Sequence, residues 1–202
     1  MRRQKQKIDK SKLLFSNHDL KVLLIPLMVE QLLNSLMGTV DSMMVSNVGS
    51  AAISAVSLVD SINVLVIQVF TALTAGGAII CSQYLGRKDL KACNKAARQV
   101  LLSMLVISIG LMAVCIAFRH PLLRLIFGNV EQDVMDNSQI YFLITALSFP
   151  FIGLFDANAA FFRAEGNSRL PMTISALCNL VNIAGNAVLI FVFHMGVAGA
   201  AI

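Results

Sequence analysis

Four stretches of this chain run for about 20 residues or more without one charged side chain. They are residues 61–86, 99–118, 137–155 and 170–193. A fifth, residues 22–45, is broken only by Glu30 and Asp41. A helix of about 20 apolar residues spans the hydrocarbon of a bilayer. Lipid offers the backbone no hydrogen bonds, so spanning segments are helices or closed barrels. A barrel would show short alternating segments, which are absent here. The expected fold is therefore all-α: a polytopic membrane helical bundle of five complete transmembrane helices plus the start of a sixth. Charged residues make up only 13% of the chain and apolar ones 57%, against about 25% charged in a soluble domain.

The net charge of +5 would suit a nucleic-acid partner, but its distribution argues against one. Seven basic residues precede the first span, ending at Lys21. Arg87, Lys88, Lys91, Lys95 and Arg98 lie between the second and third spans, and Arg163 and Arg169 between the fourth and fifth. Only Arg119 and Arg124 fall on the other side. Such asymmetry places the N-terminus and both basic loops in the cytoplasm, with anionic lipid headgroups as the partner of the basic surface. A multi-pass protein of the plasma membrane follows, divided into a basic arm at residues 1–21 and a membrane unit at residues 22–202. Leu13, Leu14 and Phe15 among lysines suggest that the arm lies on the membrane surface. The apolar run after it is too long for the core of a signal peptide, and no cleavage site follows.

Along the chain, Pro26 is expected in the first turns of helix one, where a missing N–H is tolerated. Helix two is expected over residues 51–84, and residues 90–98 as an amphipathic lead into helix three. An interfacial half-helix is expected within residues 121–135. Helix four should cover residues 138–162 with a kink at Pro150, and helix five residues 171–193. Residues 196–202 read as the start of helix six. Seven residues cannot cross a bilayer, so the reading is of an incomplete bundle. Cys81, Cys93, Cys115 and Cys178 form no CxxC pair and fit no metal spacing. They are expected to be unpaired thiols that pack as small apolar groups.

Polar residues at membrane depth are the functional candidates, because a carboxylate there costs at least a few kcal/mol. Glu30 and Asp41 are eleven residues apart. At about 100° per residue this returns them to nearly one face, with Asn34 between. Such a stripe should face a wet interior, with Glu30 close enough to the inner headgroups to sit in a vestibule. Helix five carries Ser175, Asn179, Asn182 and Asn186 at offsets of four, three and four, again one face. These amides can ligate an ion or glue helices together. Asp60 and Asn63 are neighbours on helix two, in its outer third. Asp156, near the inner end of helix four, is expected to pair with Arg163 or a loop. No intramembrane His, Cys or Ser constellation suggests an enzyme, and no cofactor is implied.

At these residues the chain resembles the multidrug and toxic compound extrusion family of secondary transporters. Val40-Asp41-Ser42-Met43-Met44-Val45, with Gly49 and Ala51-Ala52, is similar to the family's helix-one signature. Ser82-Gln83-Tyr84-Leu85-Gly86-Arg87-Lys88-Asp89 resembles its loop after helix two. The run from Phe162 to Met172 resembles its loop between helices four and five. Asn182-Ile183-Ala184-Gly185-Asn186, followed by Gly196-Val197-Ala198-Gly199, resembles its junction of helices five and six. The resemblance implies a twelve-helix transporter of two six-helix lobes, of which this chain is the N-terminal lobe and the C-terminal lobe is missing. It implies that Asp41, Asn182 and Asn186 form a coupling site for H⁺ or Na⁺, with Na⁺ at Asp41 the one metal to consider. Glu30, Asn34, Asn179 and Asp60 would line the polar cavity. Asn186 is neutral where some branches carry aspartate, which leaves Asp41 the main titratable group. The implied activity is cation-coupled export of organic cations or drugs. The alternatives are a lipid-linked oligosaccharide flippase of the same superfamily, or a non-transporting membrane fragment.

Overall fold

In a computed structural model of the chain, which describes residues 17–128 and 130–202, every regular element is helical. The expected basic arm and its surface-lying Leu13, Leu14 and Phe15 fall outside the described residues, except for its last five positions. Those five are helical and continuous with α1, Asn17–Ser46. They are followed by α2, Ser50–Gly86, α3, Leu90–Ala117, and a short α4, Arg119–Phe127. Then come α5, Gln132–Ala164, α6, Arg169–Ala187, and α7, Val197–Ala201. Five of these are long and apolar enough to cross a membrane.

Local sequence explains the boundaries. The α1–α2 turn closes with Val48 N–H donating to the Val45 carbonyl at 2.9 Å, and Gly49 adopts φ +142°, open to glycine alone. Asp89 caps α3 by accepting the Ala92 N–H at 3.0 Å. Gly128, at φ +68°, ends α4. This helix is the expected half-helix: Leu123 is fully buried while Leu125 is 84% exposed, as suits an element lying along an interface.

α5 is the hub, packing against α2, α3, α4, α6 and α7, while α1 packs chiefly on α6. Small residues let α5 approach its neighbours closely. Ala146, Gly153, Ala157 and Ala160 are buried on it, and a Cβ on Gly153 would come within 3.3 Å of Met104 on α3. Small-residue contacts of this kind drive helix association in lipid, where apolar burial supplies no force. Phe70 and Phe149 stack edge to face at the centre, with centroids 6.2 Å apart. Large apolar side chains such as Leu24, Met28, Leu32, Leu65 and Leu180 stay exposed, as lipid-facing or partner-facing side chains do.

Three boundaries differ from expectation. Pro26 is the tenth residue of α1, because residues 17–21 are already helical. It therefore interrupts the ladder inside the helix rather than opening it. α5 begins six residues earlier than expected, at Gln132, since its polar first turn extends beyond the apolar stretch. The fifth span leaves α-geometry after Ala187 and passes through a π-helical turn, Val188–Val192. That wider turn brings Ile190 inward to 5% exposure.

The turns at residues 86–90 and 164–169 lie at the same end of the bundle as the start of α1. The charge asymmetry predicts that this end faces the cytoplasm. In a background with Cys81, Cys93, Cys115 and Cys178 replaced, cysteines at Lys91 and Asn167 should react with an impermeant thiol reagent from the cytoplasmic side only. A cysteine at Asp133 should react from the other side only. Labelling of positions 91 and 133 from one side would rule out five spans.

Candidate functional site: polar contacts between α1 and α6

The polar faces of α1 and α6 meet. Near the basic end, Asn34 Oδ1 accepts hydrogen bonds from Ser175 Oγ at 3.1 Å and Asn179 Nδ2 at 3.2 Å. Two turns further along, Asn186 Nδ2 donates to Asp41 Oδ1 at 2.9 Å and to Asn182 Oδ1 at 2.9 Å. One amide group thus bridges a carboxylate and a carbonyl oxygen. The spacing that builds this is helical: 34 to 41 on α1, and 175, 179, 182 and 186 on α6, each advance along one stripe. Asn186 is buried at 2% exposure, while Asp41 is half-buried. Asp41 has an amide partner in Asn186, and among the described residues no basic side chain pairs with it. Asn182 and Asn186 open onto a pocket of about 410 Å³ that also takes in Cys178, Gly185, Leu189 and Ile202. The site is therefore polar, negatively charged when Asp41 is ionised, and adjacent to space.

Glu30 departs from its expected place in a wet vestibule. It is 3% exposed, and its Oε1 accepts from Arg163 Nη2 at 2.7 Å. This joins α1 to the last turn of α5. Burial of a carboxylate at this depth demands a partner, and Arg163 is the cation within reach. Asp156, expected to pair with Arg163 or a loop, lies near enough to Arg163 for their charges to interact but forms no ion pair with it, and it accepts a long 3.5 Å bond from Thr71 Oγ1 on α2.

Asp60 lies on a second polar contact, between α2 and α5. Its Oδ1 accepts from Tyr141 Oη at 3.1 Å and from Asn63 Nδ2 at 3.4 Å, and Thr145 Oγ1 reaches Asn63 Oδ1 at 3.5 Å. A pocket of about 250 Å³ opens beside Asp60, Asn63, Thr145 and Ser148. Asp60 and Asp41 are near enough for their charges to interact. Tyr141 and Thr145 were missed in the sequence, where a tyrosine in an apolar helix carries no periodic signal. Cys81, Cys93 and Cys115 are buried free thiols, and Cys178 is exposed beside the larger pocket.

The family model described as MatE matches residues 26–188, most of the chain and every polar side chain just described. The chain belongs to the MatE family. It is 29% identical over 181 residues to the transporter YisQ of Bacillus subtilis (strain 168), covering 87% of this chain and 39% of that protein. It is 27% identical over 177 residues to multidrug and toxin extrusion protein 2 of Mus musculus, covering 87% of this chain and 30% of that protein. It is 27% identical over 180 residues to the multidrug export protein MepA of Staphylococcus haemolyticus (strain JCSC1435), covering 88% and 39%. The MatE chain thus spans between three and four tenths of the length of these relatives. Among solved structures, a MOP superfamily transporter from Pyrococcus furiosus superposes with a TM-score of 0.85 at 20% identity. That match covers 91% of this chain and 40% of the other. An outward-facing multidrug resistance MATE family transporter gives the same TM-score and coverage. These likenesses establish the fold. The MatE family is one of multi-pass membrane transporters, and this chain carries five helices long and apolar enough to cross a membrane.

Proposed function

We propose that this chain is one lobe of a proton-coupled antiporter that exports organic cations, with Asp41 as the coupling group. The single observation behind this reading is the Asp41–Asn186–Asn182 contact. It holds a carboxylate at membrane depth against an amide, with no compensating cation among the described residues. A carboxylate in such a place serves to bind a proton or a cation.

The proton is the simpler of the two coupling ions that these residues could take. Asp41, Asn182 and Asn186 could together offer a Na⁺ three side-chain oxygens, the hard ligands that such ions take. In this arrangement, however, Asn186 presents its NH₂ group between the other two oxygens, 2.9 Å from each. Ligation would require the Asn186 amide to turn over, placing its oxygen against Asp41. The proton needs no such change: Asp41 can take it on its second oxygen and keep the Asn186 bond.

In the proposed cycle, ionised Asp41 attracts a cationic substrate toward the lobe. Protonation from the outer side removes that attraction and releases it. The gradient biases the two-state equilibrium of the transporter only through this differential affinity. The second carboxylate, Asp60, beside its own pocket, supports a cationic cargo over the anionic headgroup that a flippase would carry.

The test uses proteoliposomes of the transporter that contains this lobe, with ethidium as the cargo. A pH gradient should drive ethidium accumulation and an imposed Na⁺ gradient should not. Accumulation on the Na⁺ gradient alone would replace the proton reading with a sodium one. Movement of ethidium under neither gradient would remove the antiport reading.

A further inference from the structure

At the basic end of the bundle, the first turns of α1 and α6 enclose a pocket of about 340 Å³. Its lining divides sharply. His18, Lys21 and Arg169 supply the polar half, and Val22, Ile25 and Pro26 the apolar half. Lys21 and Arg169 are exposed and neither forms a salt bridge within the described residues. The nearest acids in sequence, Asp19 and Glu165, do not line the pocket. α6 also begins here, at Arg169, so the N–H groups of its first turn add positive potential.

We infer that this pocket holds the phosphate headgroup of an anionic phospholipid, with the first part of an acyl chain against Val22 and Ile25. Two features select a lipid over a free phosphate. The apolar wall would gain nothing from an inorganic ion. The pocket also sits at the end of two membrane spans, at the level where headgroups lie. Basic pockets between spans on the cytoplasmic side are a recognised setting for anionic headgroups. Arg169 can hold two phosphate oxygens at once and Lys21 a third. The bound lipid would tie together the ends of α1 and α6, the two helices that carry the Asp41–Asn186 contact. Nothing in this proposal depends on proton coupling, and its test needs no gradient.

The purified chain in mild detergent is titrated with dioleoylphosphatidylglycerol or dioleoylphosphatidylcholine, and bound lipid is counted by native mass spectrometry. Phosphatidylglycerol should bind about tenfold or more tighter than phosphatidylcholine, as expected for two cations on one headgroup. Lys21→Gln with Arg169→Gln should erase that preference. Ile25→Trp, which fills the apolar half and keeps every charge, should weaken binding of both lipids. Lys91→Gln with Lys95→Gln removes the same charge from the other basic loop and should leave the preference intact. Equal loss in both charge-removal pairs would reduce the effect to the general field of the basic surface and overturn the site. So would equal binding of the two lipids by the unmodified chain, no effect of Ile25→Trp, or displacement of the lipid by millimolar inorganic phosphate.

Discussion

Asp41→Asn should abolish gradient-driven efflux in the transporter that contains this lobe while leaving the lobe folded. The fold survives because asparagine keeps the shape and an Oδ1. The bond from Asn186 Nδ2, now 2.9 Å, therefore has its acceptor. What disappears is the group that changes charge. Without a group that binds the proton differently in the two states, the gradient has no hold on the equilibrium, and gradient-driven efflux should fall to the background of cells without the transporter. Asp156→Asn should do much less, because Asp156 bonds Thr71 and lies near Arg163 rather than in the Asp41–Asn186 contact. The measurement is resistance and ethidium efflux in cells carrying each variant at matched membrane abundance. Efflux by Asp41→Asn at the unmodified level would make the residue a structural polar contact and remove the main functional assignment.

Arg163→Ala should be the most destabilising single substitution at a charged residue of the lobe. Glu30 is 3% exposed, and Arg163 Nη2 is its partner at 2.7 Å. Removing one member of a buried ion pair typically costs about 3–5 kcal/mol, because the other charge is left without compensation. Arg163 keeps some exposure, with 31% of its side chain accessible, so a value near the lower end, about 3 kcal/mol, is expected. The penalty comes from the orphaned carboxylate, so Glu30→Gln added to Arg163→Ala should recover part of it. Thermal unfolding of the chain in mild detergent reads both. A double variant no more stable than Arg163→Ala would show that the orphaned charge is not the cause. Little change in Arg163→Ala itself would show that the pair contributes nothing to stability.

The helices of the MatE lobe were legible from composition alone. Spanning a bilayer is a one-dimensional requirement: enough consecutive apolar residues, and no charge that lipid cannot accept. Residues 61–86, 99–118, 137–155 and 170–193 meet it wherever they pack, and all but the terminal Phe118 and Phe193 became parts of long helices. The polar stripes were legible for the same reason. Spacings of three, four, seven and eleven place residues on one helix face whatever that face meets. The family motifs added which members of those stripes to associate, Asp41 with Asn182 and Asn186.

What those faces meet was decided only by packing. Glu30 and Asp41 share a stripe on α1, yet one is sealed against Arg163 of α5 and the other meets Asn186 of α6. The rotation of α1 and the crossing of its neighbours determine this, over separations of 133 and 145 residues. Asp60 found Tyr141 across 81 residues, a pairing that no periodicity within either helix encodes. Pro26 came to lie inside α1 because five residues of the basic arm joined the helix. The turn after Asn186 widened where an unbroken α-helix was expected. Hydropathy and helical period are properties of one segment and can be read along the chain. The partners of a buried charge belong to the contact between segments, where close packing and the cost of an unpaired group in lipid select the arrangement.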